Sequence, residues 1–501
     1  MTDKILIWID QVYTQFGIAK FLKNIMDCKF FGIIDINEGK NFFKNQKLLD
    51  FEKVWFYRDF VTLNNKVDLE YLANFEKKYD IDIWRIIYSD VHMNKYNRFY
   101  QFNSDNILSI IEQQIKLFEK IIEETKPDFL IIRTTDYAKN QILHELCRVK
   151  KIPILTLGHT RLGTKCIITE ENDLLDDHQK TTEFKINTNY SLEQLQMNLK
   201  IYSKWQTNMV KTYQVSSLKK ISAILHFFTL LLNSNYGKYY EHKGWNLFNL
   251  IKHEFSIFFK KRMRQFFMNK HSIKNILFNE KYVYFPLQFE PERSILIASP
   301  FYANQLEIIK NIARSVPIDY NVYVKEHPSQ SISDWRKIGF YQELLQIPNV
   351  KLIDLSVSSL TLVKNSNLVA TVTGTVGLEA AFLQKPSIVF GDSIYSDLSC
   401  VHRIKNMNKL PEIIKLALKD EVNLDELQKF MNIIDHNSFE YDINKMNLEI
   451  DSLFHFDGFL KDSKIDTKTM STFLNDNKEI FLTLANEHKK KIMIYKNLKK
   501  N

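Results

Sequence analysis

The sequence predicts an α/β protein with two Rossmann-like, doubly wound parallel sheets, a basic helical middle segment and a helical tail. Short apolar runs alternate with stretches of helix length that carry apolar residues at a period of about 3.6. The runs are continuous rather than alternating in polarity, which is typical of parallel strands buried on both faces. The length of 501 residues exceeds that of a usual single domain. Two α/β domains with accessory helices account for these observations.

The order of these patterns divides the chain into four parts. Residues 1–190 are predicted to form a first α/β domain, with apolar runs at 4–9, 30–34, 53–57, 128–132 and 152–157. Residues 191–280 form a helical, basic and aromatic-rich connecting segment. Residues 281–410 form a second α/β domain, with runs at 282–287, 321–325, 350–353, 368–372 and 387–390. Residues 411–501 show a helical pattern without a further convincing strand, and we expect one of these helices to pack back across the first domain.

Composition and cysteine usage indicate a cytoplasmic globular protein. Hydrophobic residues make up 45% and charged residues 25% of the chain, which is enough for sizeable cores. The cysteines lack the C-x-x-C spacing of a zinc or redox site, and a reducing compartment is the simplest setting. We find neither a signal peptide nor the roughly 18 consecutive apolar residues of a spanning helix. The cysteines are Cys28, Cys147, Cys166 and Cys400.

Positive charge is concentrated in one stretch of the chain. Residues 211–281 contain 13 Lys and Arg against 3 acidic residues, an excess larger than the net charge of +9 of the whole chain. Aromatic residues are interleaved with these cations, a pattern typical of a helix on an anionic membrane surface. A solvated linker packed by its aromatics is the other interpretation. We expect no nucleic acid partner, because no RNA-binding or helix-turn-helix signature accompanies the charge.

A strand–turn–helix–strand unit at 366–392 organises the second domain. An apolar run ends at the turn Thr373-Gly374-Thr375, and a short apolar helix follows. Such a turn places free backbone N–H groups and two hydroxyls at a helix N-terminus, where a phosphate binds favourably. Glu379 is the charged residue of this helix, and it either complements the helix dipole or contacts a ligand hydroxyl such as that of a ribose.

Two further loops of the second domain follow predicted strands and should meet this turn. The carboxyl ends of parallel strands lie at one edge of a sheet, where ligands of open α/β sheets bind. Lys325 ends a strand and could face the core or this edge, whereas His327 follows it and can donate a hydrogen bond to a phosphate. Gln288 and Glu290, after the first strand of the domain, are candidates for contacts to a base or a sugar.

Several segments of the second domain resemble those of a known family. In order along the chain, YFPLQ (284–288), KEHP (325–328), TGTVGLEAA (373–381) and KP (385–386) are similar to segments of bacterial capsule and surface-polysaccharide glycosyltransferases. The resemblance is clearest to the capsule Kdo-transferase superfamily and covers about residues 282–411. It implies a GT-B fold with two facing Rossmann-like domains. The nucleotide-sugar donor would bind the second domain and the acceptor the first.

The resemblance also implies roles for individual residues. His327 and the turn Thr373 to Thr375 would hold the donor phosphate, and Glu379 or Gln288 would contact the nucleotide. Either Glu290 or Glu292 would correspond to the acidic residue that the family tends to carry after the glutamine. Both CMP-activated acidic sugars, such as Kdo or sialic acid, and UDP-sugars stay open as donors, because the turn pattern occurs in GT-B proteins of both kinds.

A transferase of this kind requires a general base, which takes the proton of the acceptor hydroxyl as the new bond forms. In the first domain, Asp10, Asp136 and His159 are the ionisable base candidates that directly follow predicted buried strands. All three stay open, since aspartate after a strand is also common turn chemistry. Arg161, in the loop after the last of these strands, could bind an anionic acceptor.

The predicted activity is sugar transfer from a nucleotide-sugar to a capsular or surface polysaccharide or a lipid-linked acceptor, with inversion and without a metal. We expect no cofactor, because phosphate-loop, dinucleotide and zinc-protease motifs are absent and Asp80 and Asp82 lie between two helical patterns. The basic segment would hold the enzyme at the inner face of the cytoplasmic membrane. The alternatives are a nucleotide-sugar epimerase of the same fold and a non-catalytic scaffold of a polysaccharide-export complex.

Overall fold

The computed structural model describes residues 2–64, 66–93, 101–172, 174–181, 190–197, 199, 225, 247–276, 278–331, 336–458 and 463–498. These residues form two mainly parallel sheets with helices on both faces, which confirms the predicted two-domain α/β fold. Most of the helix predicted at 191–213, and residues 211–246 of the basic segment apart from 225, lie outside the described residues.

The first sheet contains strands β1 (Asp3–Ile9), β2 (Cys28–Ile34), β3 (Phe51–Phe56), β4 (Phe129–Ile132), β5 (Ile154–His159), β6 (Lys165–Thr169) and β13 (Ser438–Glu440). Their order is β13-β6-β5-β4-β1-β2-β3. The strands from β5 to β3 are parallel, and β6 and β13 are antiparallel at one edge. Successive side chains of β1 pack into two different cores. Ile5 and Ile7 face one layer of helices, and Leu6 and Trp8 face the other.

The helices of the first domain are α1 (Thr14–Ile25), α2 (Lys40–Asn45), α3 (Leu69–Tyr79), α4 (Ile83–Ser89), α5 (Ser104–Thr125), α6 (Ala138–Val149) and α7 (Asp177–Thr181). The Asn103 side chain caps α5 by accepting the Asn106 N–H at 2.8 Å. Asp80 ends α3 in a left-handed conformation and Asp82 precedes α4. These two aspartates therefore occupy helix ends.

The second sheet contains β7 (Lys281–Pro286), β8 (Tyr320–Lys325), β9 (Val350–Ile353), β10 (Leu368–Thr371), β11 (Ser387–Val389) and β12 (Val401–Arg403). Its order is β12-β11-β10-β7-β8-β9, and the pairs are all parallel. The chain runs from β7 to one side of the sheet and then returns to the other side at β10. The loops after β7 and β10 consequently flank the topological switch point, where open α/β sheets bind ligands.

The helices around the second sheet are α8 (Leu247–His271), α9 (Arg293–Leu296), α10 (Gln305–Ala313), α11 (Ile338–Leu345), α12 (Ser359–Asn365), α13 (Val376–Phe382) and α14 (Leu410–Ala417). Met268 of α8 and Ile414 of α14 are buried in its core. The core of the second domain thus takes in part of the connecting segment and extends beyond the predicted boundary at 410.

The tail adds α15 (Leu424–Asn437), α16 (Ile443–Phe454), α17 (Thr467–Asp476) and α18 (Lys478–Leu498). The helices α16 to α18 complete one core of the first domain, where the sequence predicted that one tail helix would pack. The prediction of a tail without strands was wrong, because β13 pairs with β6, with Ser438 opposite Ile167. The strands β6 and β12 were also missed. All three include polar or charged residues, and the longest apolar run among them is the three residues 166–168 of β6.

The packing of α18 against α1 depends on a glycine. A Cβ atom added to Gly17 would lie 2.1 Å from the ring of Phe481. This ring is buried and stacks on Phe21 with centroids 5.8 Å apart. Lys489 of α18 also donates to the carbonyl oxygen of Ile25 at 2.8 Å. The close approach fixes α1, and with it the residues at the N-terminal end of α1.

The two domains contact each other through apolar and polar groups. Leu162 and Ile167 of the first domain share one apolar cluster with Leu378 and Phe382 of α13. We call the edge of each sheet where the carboxyl ends of its parallel strands lie its rim. The rims of the two sheets face each other across a cleft that residues of both domains line.

Candidate active site

Gln288 holds the turn that follows β10. Its Oε1 accepts the Thr373 N–H at 3.0 Å, and its Nε2 donates to Thr373 Oγ1 at 3.4 Å. The Gln288 N–H donates to Gln305 Oε1 at 2.8 Å. The side chain is buried, and both ends of its carboxamide contact the turn. A contact of this carboxamide with a nucleotide would require it to release Thr373.

A buried polar network around Arg336 ties the loops after β7 and β8 together. The guanidinium bonds to the Glu326 carboxylate and to the Gln288 carbonyl oxygen, and lies 3.4 Å from Glu290 Oε1. Tyr341 Oη donates to Glu326 Oε2 at 2.5 Å. Burial opposes the charge of Arg336, but Glu326 and Glu290 outweigh this effect and raise its pKa. The candidate Glu290 is therefore engaged in positioning the rim. Arg336 was missed by the sequence analysis, since it follows no predicted strand.

His327 lies directly after β8, as predicted. Its Nδ1 accepts the Ser329 N–H at 3.2 Å. Burial, together with the charges of Arg336 and Lys325, lowers the pKa of His327 to about 4. The ring is therefore neutral at pH 7, and its proton is on Nε2 because Nδ1 is an acceptor. Among the described residues Nε2 has no hydrogen-bond partner, so it can donate to an anionic ligand.

Lys325 points into the second domain. Its Nζ donates to the Val357 carbonyl oxygen at 2.5 Å and to Ser359 Oγ at 3.0 Å. Burial lowers its pKa to about 8. The sequence left the direction of this side chain open, and the structure shows that it fixes the start of α12.

Some polar groups of the turn Thr373-Gly374-Thr375 already have hydrogen-bond partners within the protein. Gly374 N–H donates to Thr371 Oγ1 at 3.1 Å, and the Thr373 N–H is bonded as described above. Thr375 Oγ1 donates to Glu379 Oε1 at 3.2 Å, and burial raises the pKa of Glu379 to about 6. The prediction that the turn offers free N–H groups was thus wrong for Thr373 and Gly374, because side chains of the same domain reach them first.

The rim of the first sheet carries two carboxylates around an arginine. Asp10 follows β1, while Arg133 and Asp136 follow the neighbouring strand β4. Arg133 Nη2 lies 3.9 Å from Asp136 Oδ2, and Thr134 Oγ1 donates to the same oxygen at 2.5 Å. Burial opposes the charge of Arg133, but Asp10 and Asp136 outweigh it and raise the pKa of Arg133. The structure therefore brings two of the three predicted base candidates together.

His159 shapes the hairpin between β5 and β6. Its Nδ1 accepts the Arg161 N–H at 2.8 Å, and its Nε2 donates to the Gly163 carbonyl oxygen at 3.1 Å. Both ring nitrogens are therefore engaged within the hairpin, which leaves Asp10 and Asp136 as the better-placed bases. The Arg161 side chain crosses between the domains and donates to the Thr373 carbonyl oxygen at 2.9 Å. In this structure it contacts the predicted donor turn.

A further charged cluster on the first rim was missed by the sequence analysis. Asp35 follows β2 and accepts Arg58 Nε at 3.0 Å. Lys139 of α6 bonds to the other oxygen of Asp35 and lies 5.2 Å from the centre of the Tyr57 ring. The available signal was the same as for Asp10, namely a polar residue directly after an apolar run.

The cleft between the rims has a volume of about 550 Å³, within the range of small-molecule sites. A second cavity of about 220 Å³ adjoins it and shares Arg133 and Asp136 with it. Thr375 and Glu379 lie against the hairpin of Arg161, with a void of only about 10 Å³ between them. Residues of both domains and of α16 line the main cleft, among them Gln15, His159, Phe289, Arg293, Ser294 and Asn447.

One group of metal-type ligands occurs among the described residues. His144, Glu145 and Glu171 have ligand atoms within 4.8 Å of one another. His144 Nε2 is 2.9 Å from the Glu170 carbonyl oxygen, so this nitrogen is already engaged. None of these three residues lines the cleft or its side cavity. We assign no role to this group.

Two facing Rossmann-like sheets with a ligand-sized cleft between their rims define a GT-B-like α/β protein. Residues 185–399 match the family model described as "Capsule polysaccharide biosynthesis protein". This segment is less than half of the chain, and its match agrees with the resemblance found in the sequence. The match begins well before residue 282 and so includes the connecting segment.

Among curated proteins, Protein FixF of Sinorhizobium fredii (strain NBRC 101917 / NGR234) is 31% identical over 153 residues, which are 30% of this chain and 35% of FixF. The chain thus spans about a third of the length of this curated relative. Among the described residues no helix is long and apolar enough to cross a membrane.

Solved structures with a likeness to this chain include two enzymes. The beta Kdo 2,7 transferase of Thermosulfurimonas dismutans KpsC is 13% identical, with 64% of this chain and 89% of that chain covered and a TM-score of 0.29. The UDP-GlcNAc 2-epimerase of Methanocaldococcus jannaschii is 14% identical, with 87% and 100% covered and a TM-score of 0.23. These TM-scores are too low to carry an argument, and the architecture rests on the sheets described above.

Proposed function

We propose that the protein is a glycosyltransferase, which moves a sugar from a nucleotide-sugar to a capsular or surface polysaccharide or to a lipid-linked acceptor. The match of residues 185–399 to the capsule polysaccharide biosynthesis model supports the substrate class. The observation that carries the proposal is the cleft, since Asp136 of the first domain lines it together with Phe289 and residues 291–294 of the second domain.

The carboxylates of the first rim supply the base in this proposal. The acceptor oxygen loses its proton to Asp136 or Asp10 and forms a bond to the anomeric carbon of the donor sugar. The bond between that carbon and the phosphate oxygen breaks at the same time, and the nucleotide leaves. Attack from the face opposite the phosphate inverts the anomeric carbon.

The second rim stabilises the leaving phosphate. The neutral His327 donates from Nε2, and the Thr375 hydroxyl can turn from Glu379 towards the phosphate. Because Arg161 bonds to the Thr373 carbonyl oxygen, the hairpin and the turn must separate slightly to admit a phosphate. With a pKa of about 4, His327 is uncharged in the ligand-free protein from pH 6 to 8, so it meets the phosphate as a neutral hydrogen-bond donor.

A thermal-shift screen of the full chain against CMP, CDP, UDP, GDP and dTDP tests the donor site. A nucleotide at about a hundred times its dissociation constant stabilises the native state by about 2.7 kcal/mol. We expect one nucleotide to do so, and we expect His327→Ala to weaken its binding by about tenfold or more, since a hydrogen bond to a charged group is lost. The matched control is His402→Ala, because His402 also lies in the second domain but pairs with Asp420 at 2.6 Å.

Three results would redirect the proposal. No stabilisation by any of the five nucleotides would favour the non-catalytic scaffold. Turnover of a nucleotide-sugar in the absence of any acceptor would favour the epimerase. Equal losses in His327→Ala and His402→Ala would show that the nucleotide binds away from the second rim.

We further propose that α8 places the enzyme on an anionic membrane. Phe259, Met263 and Phe266 lie on one face of α8, with exposed fractions of 63%, 61% and 73%. The opposite side packs on the second domain through Phe267 and Met268. Exposed basic residues occur along the same helix, and this combination of cations and exposed apolar side chains suits an anionic membrane surface. These are Lys252, Lys260, Lys261, Arg262 and Lys270.

Co-sedimentation with vesicles of neutral or anionic lipid tests this placement. We expect binding to anionic vesicles, and we expect replacement of Phe259, Met263 and Phe266 by serine to abolish most of it. The control is Leu416→Ser, which removes another exposed apolar side chain of the second domain. Equal binding to neutral and anionic vesicles, or an equal loss in the control, would overturn the proposal.

A further inference from the structure

The N-terminal end of α1 is buried at the cleft without a cap. Tyr13 precedes the helix in a left-handed conformation and offers no side-chain cap. The first helical N–H groups cannot bond within the helix, and among the described residues those of Thr14, Gln15 and Phe16 have no acceptor. Thr14 and Gln15 line the cleft although they are almost fully buried. The N–H groups of such a buried helix end lack hydrogen-bond acceptors unless a ligand supplies them.

Gln15 provides a second and independent observation. Its side chain is 1% exposed, and neither its Oε1 nor its Nε2 has a hydrogen-bond partner. A buried carboxamide without partners costs stability, and the great majority of buried polar side chains are satisfied. The Gln15 carboxamide and the N–H groups of the helix end lie at the same wall of the cleft, so that one ligand group could satisfy both.

The charges around this wall favour an anion. Arg133, Arg161 and Arg293 line the cleft against the two carboxylates Asp136 and Glu292. The partial positive charge of the N-terminus of α1 adds to this excess. An oxygen-rich anion therefore matches the unsatisfied donors better than a neutral hydroxyl group does.

We propose that the N-terminus of α1 and the Gln15 carboxamide form an acceptor subsite for an anionic group, either a phosphate or a carboxylate. The identification of this group as part of the acceptor rests on the proposed sugar transfer. The binding itself rests on the end of α1, the Gln15 carboxamide and the charges that line the cleft, and not on the transfer reaction. Gln15 then selects acceptors that carry such a group near the hydroxyl that reacts at Asp136 or Asp10.

The test uses the full chain with His327→Ala, which removes the donor-phosphate contact, and no nucleotide. Calorimetric titrations with inorganic phosphate, glucuronate and glucose measure binding of a phosphate, a carboxylate and a neutral sugar. We expect one or both anions to bind and glucose to bind at least tenfold more weakly. We expect Gln15→Met to weaken anion binding by about tenfold or more, because a hydrogen bond to a charged group is lost.

Gln141→Met is the matched control, since Gln141 is also a buried glutamine whose Nε2 has no hydrogen-bond partner, but it does not line the cleft. Both methionine variants should raise the melting temperature of the ligand-free protein, because each removes an unsatisfied polar group. The anion affinity should fall in Gln15→Met alone. This pattern separates loss of a binding group from damage to the fold.

Stronger binding of phosphate would assign a phosphorylated acceptor, and stronger binding of glucuronate an acidic sugar. The subsite is disproved if glucose binds as tightly as the anions, if neither anion binds, or if Gln15→Met leaves the anion affinity unchanged. The nucleotide screen gives a separate answer. Anion binding without any nucleotide binding would remove the transferase proposal and keep the anion subsite.

Discussion

The two rims of the cleft satisfy their polar groups in different ways. On the second rim, Gln288, Thr373 and Arg336 bond to one another or to neighbouring loops of the same domain. On the first rim, the end of α1 and the Gln15 carboxamide have unsatisfied donors. The turn and loops of the second rim are therefore held by contacts within the protein, whereas the first rim leaves the Gln15 carboxamide for a ligand. Such internal contacts suit the stabilisation of a leaving phosphate, and open donors suit the recognition of an acceptor.

The rims also differ in what holds them in place. The second rim depends on a buried polar network around Arg336. The first rim depends on apolar packing, since the contact of Gly17 with Phe481 fixes α1. Substitutions in the network and in the packing should therefore affect different ligands.

Arg336→Leu tests the second rim and should have the largest effect. The change leaves the buried Glu326 carboxylate without its cation, and we expect the free energy of unfolding in urea to fall by about 3 to 5 kcal/mol. The matched control is Arg403→Leu, which breaks a pair with Asp392 whose side chains are 42% and 36% exposed. This exposed pair should contribute less than about 1 kcal/mol. Equal losses in the two variants would show that the network is not what holds the rim.

Gly17→Ala tests the first rim. The new methyl group would overlap the Phe481 ring, and overpacking costs about 1 to 3 kcal/mol, partly offset by the helix propensity of alanine. We expect a net loss of about 2 kcal/mol in urea unfolding and weaker phosphate binding at α1. We expect nucleotide binding at the second rim to stay unchanged.

The control for this change is Gly339→Ala in α11, where an added Cβ would meet no atom within 4 Å. This variant should be neutral or slightly more stable than the parent protein. The contrast between the two rims fails if Gly17→Ala weakens nucleotide binding as much as anion binding.

Glu379→Gln sharpens the comparison with a smaller, pH-dependent effect. Burial raises the pKa of Glu379 to about 6 in the folded protein, above the ordinary value of 4.5. Between pH 4.5 and 6 the folded protein binds more protons than the unfolded chain, so its stability falls as the pH rises through this window. Above pH 6 the parent protein carries the free-energy cost of burying an ionised carboxylate. The neutral amide of the variant carries no such cost.

We therefore expect Glu379→Gln to be more stable than the parent by about 1 to 2 kcal/mol at pH 8 and equal to it at pH 4.5. Thermal unfolding at the two pH values measures this difference. The control Glu412→Gln changes an exposed acid in the first turn of α14 and should shift stability by less than about 0.5 kcal/mol at either pH. A gain that is the same at both pH values would disprove the role of the charge.

Most of the architecture could be predicted from the sequence, because strands buried on both faces leave continuous apolar runs. The runs of β1, β4, β8 and β10 are of this kind. By contrast, β13 consists of Ser438–Glu440 and forms only because β6 offers an open edge. Nothing in such a short polar segment signals a partner about 270 residues away.

The candidate site was predictable to the level of loops but not of contacts. The rule that ligands bind after the carboxyl ends of strands led to His327, Thr373, Asp10 and Asp136. The same rule gave no information on side-chain direction, so the inward course of Lys325 stayed open. The position of Gln15 was missed because its signal, a polar residue beside Phe16 and Ile18 at an uncapped helix start, acquires meaning only when the cleft is known.

The pairing of distant segments in the first domain has a consequence for the order of folding during synthesis. Lys496 of α18 donates to Asp3 of β1 at 2.6 Å, across 493 residues of chain. A ribosome delivers β1 and α1 first, yet one core of their domain stays open until α16 to α18 have emerged. The second domain finds its partners within a much shorter span and can fold earlier, although it is translated later. The acceptor wall of the cleft is therefore completed after the second domain.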